Sequence, residues 1–267
     1  MSINYRPDID GLRAIAVVSV IFYHADNSIK NLKILSGGFI GVDIFFVISG
    51  FLITSIILKE LNETGAFSFK NFYKRRIKRI IPVLLLVFIT TFPFIWLFFI
   101  PISFIDFSKS LLSSLFFVSN YHFYFSGELY NAESSLLKPL MHTWSLSIEE
   151  QYYIIFPLVL TIVFKFFKNQ LFKVFLVLFL ISFISMIFIF QKNESLAFFS
   201  FLARFWELLL GGITAILYSQ KKSIKNLYYL IKIKNILFVF LQIRSHIIIR
   251  FLFMKRHIWR SLSISVY

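Results

Sequence analysis

The sequence contains no cysteine. Within these residues that excludes a disulfide, a thiolate nucleophile and a cysteine-ligated zinc site. Acids are scarce too, with 13 Asp and Glu against 28 Lys and Arg and a formal net charge of +15. Glycine (9) and proline (6) are few, and no Walker-type, GxGxxG, HExxH or nucleophile-elbow string occurs. Charged residues make up only 15% of the chain, where an ordinary soluble domain has about 25%. A solvated surface has too little to be built from here.

Hydrophobic residues make up 58% of the 267 positions, and 37 of them are Phe. That composition excludes disorder, and the long uncharged runs point to an integral membrane protein. Residues 1–10 set Arg6 against Asp8 and Asp10, and no small-x-small site follows the first apolar run. The first hydrophobic segment is therefore expected to stay in the protein rather than leave as a signal peptide.

A hydrocarbon core of about 30 Å needs about 20 apolar residues as helix. Candidate spans are 11–25, 37–58, 80–100, 108–125, 148–164, 171–190 and 197–218, with a weaker stretch at 227–253 interrupted by Lys232, Lys234, Arg244 and Arg250. The expected fold is an all-α transmembrane bundle of six to eight spans. Loop 59–79 holds seven Lys and Arg against Glu60 and Glu63, which places it in the cytoplasm together with the N-terminus. If 108–125 crosses the membrane, Lys221, Lys222 and Lys225 fall outside. If it dips, these lysines and Lys165 and Lys168 all fall inside, and the charge balance favours the dip.

Several strings invite chemistry, each beside a plainer reading. Arg13 and His24 are eleven residues apart, so a helix brings them to within about 20° of one face and about 16 Å apart along its axis. His24 is a candidate proton acceptor; the plainer reading has Arg13 snorkelling and His24 among headgroups. In KRRIKRIIP (74–82), Arg75, Arg76 and Arg79 fall at i, i+3 and i, i+4 spacings. Such guanidinium groups suit phosphate, as in a cytosolic acyl-CoA, or anionic lipid. Asp43 lies two turns into a span and should be paired or line a cavity, whereas Gly37, Gly38 and Gly41 fit close helix packing.

In HTWSLSIEEQYYIIFP (142–157), Ser147 and Glu150 match a capping box, which predicts a helix starting near Ile148. Glu149 and Glu150 then sit in its first turn, where the helix dipole favours anions. The crowding of His142, Trp144 and Ser145 at the same entrance adds an acid/base reading. Arg204 and Glu207, at i, i+3, predict an intramembrane ion pair, and no role is assigned to His122, His246 or His257.

Taken in order, YRPDIDGLRAIAVVSVIFYHAD (5–26), GGFIGVDIFFVISGFLI (37–53), FYKRRIKRIIP (72–82), MHTWSLSIEEQYYIIFPL (141–158) and FLARFWELLLGG (201–212) resemble the acyltransferase 3 family of bacterial integral-membrane O-acyltransferases. The resemblance covers residues 5 to about 218 and is closest to members that modify O-antigen and other envelope polysaccharides. It implies transfer of an acyl group, usually acetyl, from cytosolic acyl-CoA to an outer sugar hydroxyl in the bacterial inner membrane. It places the family's Arg-x10-His motif on Arg13 and His24, with His24 catalytic, and its Arg-x-x-Arg motif on Arg76 and Arg79, with Arg75 beside them at the acyl-CoA. Glu149 or Glu150 is then expected to orient His24 or the acceptor.

No metal and no nucleic acid are expected, and the partners are bilayer, acyl-CoA and envelope glycan. The expected division is a partial acyltransferase domain at 1–219 and a basic tail at 220–267. From 221 onward the chain carries ten Lys and Arg and no acid, so most of the +15 lies outside the family-like region. Two other readings stand beside the enzyme: an inactive partial product, and a transporter or flippase for a lipid-linked glycan.

Overall fold

The computed structural model describes residues 6–26, 38–127 and 138–221, and no strand occurs among them. The helices are α1 (Pro7–Asp26), α2 (Ile40–Thr64), α3 (Phe69–Phe98), α4 (Pro101–Leu115), α5 (Ser119–Gly127), α6 (Thr143–Phe167), α7 (Leu171–Lys192), α8 (Glu194–Phe199) and α9 (Phe201–Lys221). The all-α expectation is met. Four stretches among the described residues are long and apolar enough to cross a membrane: Ile40–Thr64, Phe69–Phe98, Thr143–Lys192 and Glu194–Ser219. The third contains both α6 and α7, joined by the 3-10 turn Lys168–Gln170. The outer loop expected at 26–36, Gly37, the 227–253 stretch, His246, His257 and the tail beyond 221 lie outside the described residues.

Helix ends follow local chemistry. α2 stops where Gly65 takes φ +74 and donates its N–H to the Leu61 carbonyl at 3.1 Å, the left-handed cap that glycine adopts without a Cβ clash. α3 runs on through Pro82 and Pro93, and α4 begins on Pro101, whose missing N–H costs nothing in a first turn. α8 starts where the Asn193 side chain accepts a hydrogen bond from the Leu196 N–H at 2.7 Å.

Glycines set the closest helix pairs. On α9 against α2, a Cβ at Gly50 would overlap the backbone of Leu208, and one at Gly211 the backbone of Val47 and Phe51. The pairing is reciprocal and parallel, with Asp43 beside Arg204 near the two helix starts and Phe51 beside Tyr218 further along. α1 meets α2 as closely but antiparallel, Gly38 against Ser19 and Tyr23, and Gly41 against Ala16 and Val20. The packing role expected of Gly38 and Gly41 is thus the observed one, and small residues let backbones touch where apolar driving force is absent.

Two expectations change in the middle of the chain. The 108–125 segment is not one helix: α4 ends at Leu115, Phe117 turns with φ 55, and α5 starts at Ser119. Gln151 of α6 steadies that turn by donating to the Phe117 carbonyl at 2.8 Å and to Asn120 Oδ1 at 3.0 Å. Ser114 meets Thr143 at 2.7 Å and Ser119 meets Ser147 at 2.7 Å, whereas at the far end Asp106 faces His122 at 3.8 Å and Lys138 donates to Ser126 at 3.0 Å. The hairpin α4–α5 therefore enters and leaves at the end of the bundle where α6 begins.

The second change is the start of α6, which lies at Thr143 rather than near Ile148. Ser147 caps nothing, because Ser119 occupies its hydroxyl through both its side chain and its N–H, at 2.7 and 3.2 Å. A tertiary hydroxyl contact has displaced the local cap.

Because α4–α5 returns to its own end, α3 and α6 start from opposite ends. Lys165 and Lys168 then share the end that carries the 59–79 loop, and Arg6, over the rings of Phe51 (5.8 Å) and Tyr218 (5.3 Å), brings the start of α1 there too. The glycine seam yields a direct expectation. Gly50→Ala and Gly211→Ala each force α2 and α9 apart at backbone atoms and cost about 1–3 kcal/mol or more. Gly11→Ala, with nothing within 4 Å of its Cβ, leaves stability unchanged or slightly raised. Melting temperatures of the three variants in detergent check this.

Candidate functional site

α1 carries Arg13 and His24 on one helix, as their spacing predicts. His24, half-buried near its C-terminal end, meets His142, the residue just before α6. Their ring centroids are 5.0 Å apart at an interplanar angle of 82°. Tyr23 stands edge-on to His24 at 5.5 Å and Phe39 edge-on to Tyr23 at 5.6 Å. Burial pushes the His142 imidazole below the ordinary histidine range, which keeps it neutral at pH 7.

Further along the same two helices lies a charged group. Arg13 pairs with Asp10 at 3.2 Å, and its charge also reaches Glu149 of α6. Arg76 of α3 acts on Glu149 and Glu150 together, and Ser49 of α2 stands beside Glu149 and Tyr153. Tyr153, one turn after Glu149, donates its hydroxyl to Glu149 Oε2 at 2.9 Å. Four helices thus bring Arg13, Ser49, Arg76, Glu149 and Glu150 into one polar region. The glutamates sit with the arginines, and the residue at His24 is His142.

The arginine cluster divides. Arg75 and Arg79 are exposed, whereas Arg76 is turned inward, with its guanidinium over the rings of Phe72 (5.4 Å) and Tyr153 (5.2 Å). Among the described residues no group of three His, Asp or Glu is placed to hold a metal ion.

The expected Arg204–Glu207 pair is present at 2.9 Å, with both side chains 1% exposed. Arg204 also reaches Asp43 of α2 at 3.4 Å, donates from Nε to the Phe198 carbonyl at 3.1 Å and lies over Trp144 and Phe198. Asp43 is paired, as expected, but α2 begins at Ile40 and puts it in the first turn of the helix rather than two turns in.

The family model described as an acyltransferase domain matches residues 6–254. The chain belongs to the acyltransferase 3 family. O-acetyltransferase OatA of Staphylococcus aureus (strain NCTC 8325 / PS 47) is 39% identical over 229 residues, covering 83% of this chain and 36% of that protein. A putative O-acetyltransferase of Staphylococcus aureus (strain MSSA476) is 39% identical over 226 residues, 82% of this chain and 36% of its own length. The chain spans about a third of the length of these curated relatives. No solved structure matches.

In this acyltransferase 3 chain, some polar residues that sequence reasoning passed over find partners. His122 has Asp106 at 3.8 Å, and Lys138 approaches the other oxygen of that carboxylate at 4.0 Å. Asp106 and His122 meet only because the hairpin folds back, so no local spacing announces them. Tyr153 was legible in principle, since it follows Glu149 by one helical turn. The buried His142 sets a pH dependence. As pH falls, the unfolded chain takes a proton near the ordinary value of about 6.5 before the folded chain does, so folding stability drops below that pH. Thermal unfolding at pH 7.5 and 5.5 should show a larger loss for the unaltered chain than for His142→Gln.

Proposed function

We propose that this chain forms membrane-embedded machinery of an O-acyltransferase. It moves an acyl group, most simply acetyl, from cytosolic acyl-CoA to a hydroxyl of a cell-envelope polysaccharide or lipopolysaccharide sugar. The observation that carries the reading is the shared arrangement of α1 and α6: His24 and His142 meet at one end, and Arg13, Glu149 and Arg76 gather about 16 Å further along. Donor and acceptor can then approach from opposite ends and react within one protein. The family membership and the O-acetyltransferase relatives support the same chemistry.

The 59–79 loop is cytoplasmic by its positive charge, which puts the N-terminus inside and the histidine end outside, in a multi-pass protein of the bacterial inner membrane with six to eight spans. Exposed Arg75 and Arg79 meet the phosphates of acyl-CoA near the membrane surface, and Arg76 extends that contact inward. His24 accepts the proton of the sugar hydroxyl as its oxygen attacks the thioester carbonyl. The carbon–sulfur bond breaks, the CoA thiolate leaves and takes up a proton, and the products are an acyl ester and CoA thiol. His142, neutral at pH 7, leaves no fixed positive charge beside His24.

His24→Ala tests this in a host whose envelope polysaccharide acetate is measured after alkaline release. A general base contributes about 10²–10⁴-fold, so acetate incorporation should fall at least a hundredfold. Incorporation that is undiminished at normal protein level contradicts the assignment.

A further inference from the structure

We infer that Phe72 and Tyr153 are positioning residues that clamp Arg76 and hold its guanidinium for an anion. This inference rests on the reading of the arginine end as the acyl-CoA site. The guanidinium carbon lies 5.4 Å from the Phe72 ring centre and 5.2 Å from that of Tyr153. Phe72 belongs to α3 and is 1% exposed; Tyr153 belongs to α6 and is 5% exposed. Two fixed rings from different helices therefore hold one planar cation. A guanidinium attracts aromatic faces through its own plane and binds oxyanions through its N–H edge. Held between two such rings, the guanidinium keeps its N–H groups available for a phosphate oxygen pair.

The nearby carboxylates do not fill that edge. Among the described residues Arg76 makes no hydrogen bond and no ion pair within 4.0 Å, although it senses both Glu149 and Glu150. The Tyr153 hydroxyl accounts for part of this, because it donates to Glu149 Oε2 at 2.9 Å. One side chain thus does two things: its ring steadies Arg76 and its hydroxyl engages the carboxylate that would otherwise compete for the same donors. The ligand class that fits is a phosphoryl oxyanion, supplied by the pyrophosphate or ribose phosphate of the CoA moiety.

The test measures binding of CoA itself to the full chain in lipid nanodiscs. Tyr153→Leu removes one ring and should weaken CoA about tenfold, the size of a desolvated cation–π contact. Tyr153→Phe keeps the ring and should bind within about threefold of the unaltered chain, a rescue that a general packing defect would not give. Phe72→Leu removes the other ring and repeats the tenfold loss, and it carries the test if Tyr153→Leu does not accumulate. In an Arg76→Gln background, Tyr153→Leu should add no further loss. CoA binding that Arg76→Gln weakens but Tyr153→Leu and Phe72→Leu leave unchanged overturns the clamp. Binding that Arg76→Gln itself leaves unchanged overturns the assignment of Arg76 to the donor, and the clamp with it.

Discussion

One buried cation governs how this bundle is put together. Arg204 is 1% exposed and holds Glu207 within α9, Asp43 on α2 and the Phe198 carbonyl at the end of α8. The Trp144 ring at the head of α6 lies over the same guanidinium. In hydrocarbon a charge without partners is expensive, so its partners must arrive together or the helices do not close. Closure fixes α2 against α9, where glycines let the backbones touch, and sets the depth of α6 relative to both. α6 in turn carries His142 at its entrance and Glu149, Glu150 and Tyr153 along its length. The depth of the α6 groups in the candidate site follows from that one contact.

The second element is the hairpin α4–α5. It inserts beside the first turns of α6 and meets them through hydroxyls: Ser114 and Ser119 on one side, Thr143 and Ser147 on the other. Short polar side chains suit this role, because the turn at Phe117 leaves backbone groups that Gln151 and the Ser147 hydroxyl satisfy. With the hairpin returning to its own end, the histidines and the arginines come to lie at different depths of the same protein. In the proposed reaction, that separation is what would let a cytosolic donor and an outer acceptor share one site without sharing one side.

Much of this was legible in the residues. The apolar runs mark α2, α3, α7 and α9, because length and hydropathy suffice where a helix must cross a membrane. The Arg13–His24 spacing and the Arg204–Glu207 pair also stood in plain view, since both are contacts or faces of a single helix. What hydropathy cannot separate is a crossing from a hairpin of the same apolar content, and 108–125 is such a case. Ser147 carried a capping signal that a partner from α5 overrode. Asp43 as a third member of the Arg204 cluster, and Asp106 beside His122, depend on chain segments meeting far from their sequence neighbours.

The proposed reaction requires the donor and acceptor ends to face opposite sides while α4–α5 re-enters rather than crosses. The absence of cysteine makes this directly measurable, since each introduced thiol is the only one in the chain. Lys78→Cys, Lys168→Cys and Gly127→Cys can be labelled with a membrane-impermeant maleimide in intact cells and in inverted vesicles. Positions 78 and 168 should react only in inverted vesicles and position 127 only in intact cells. Labelling of 78 and 168 from opposite sides contradicts this arrangement, because the segment between them then crosses the membrane once more than the hairpin allows.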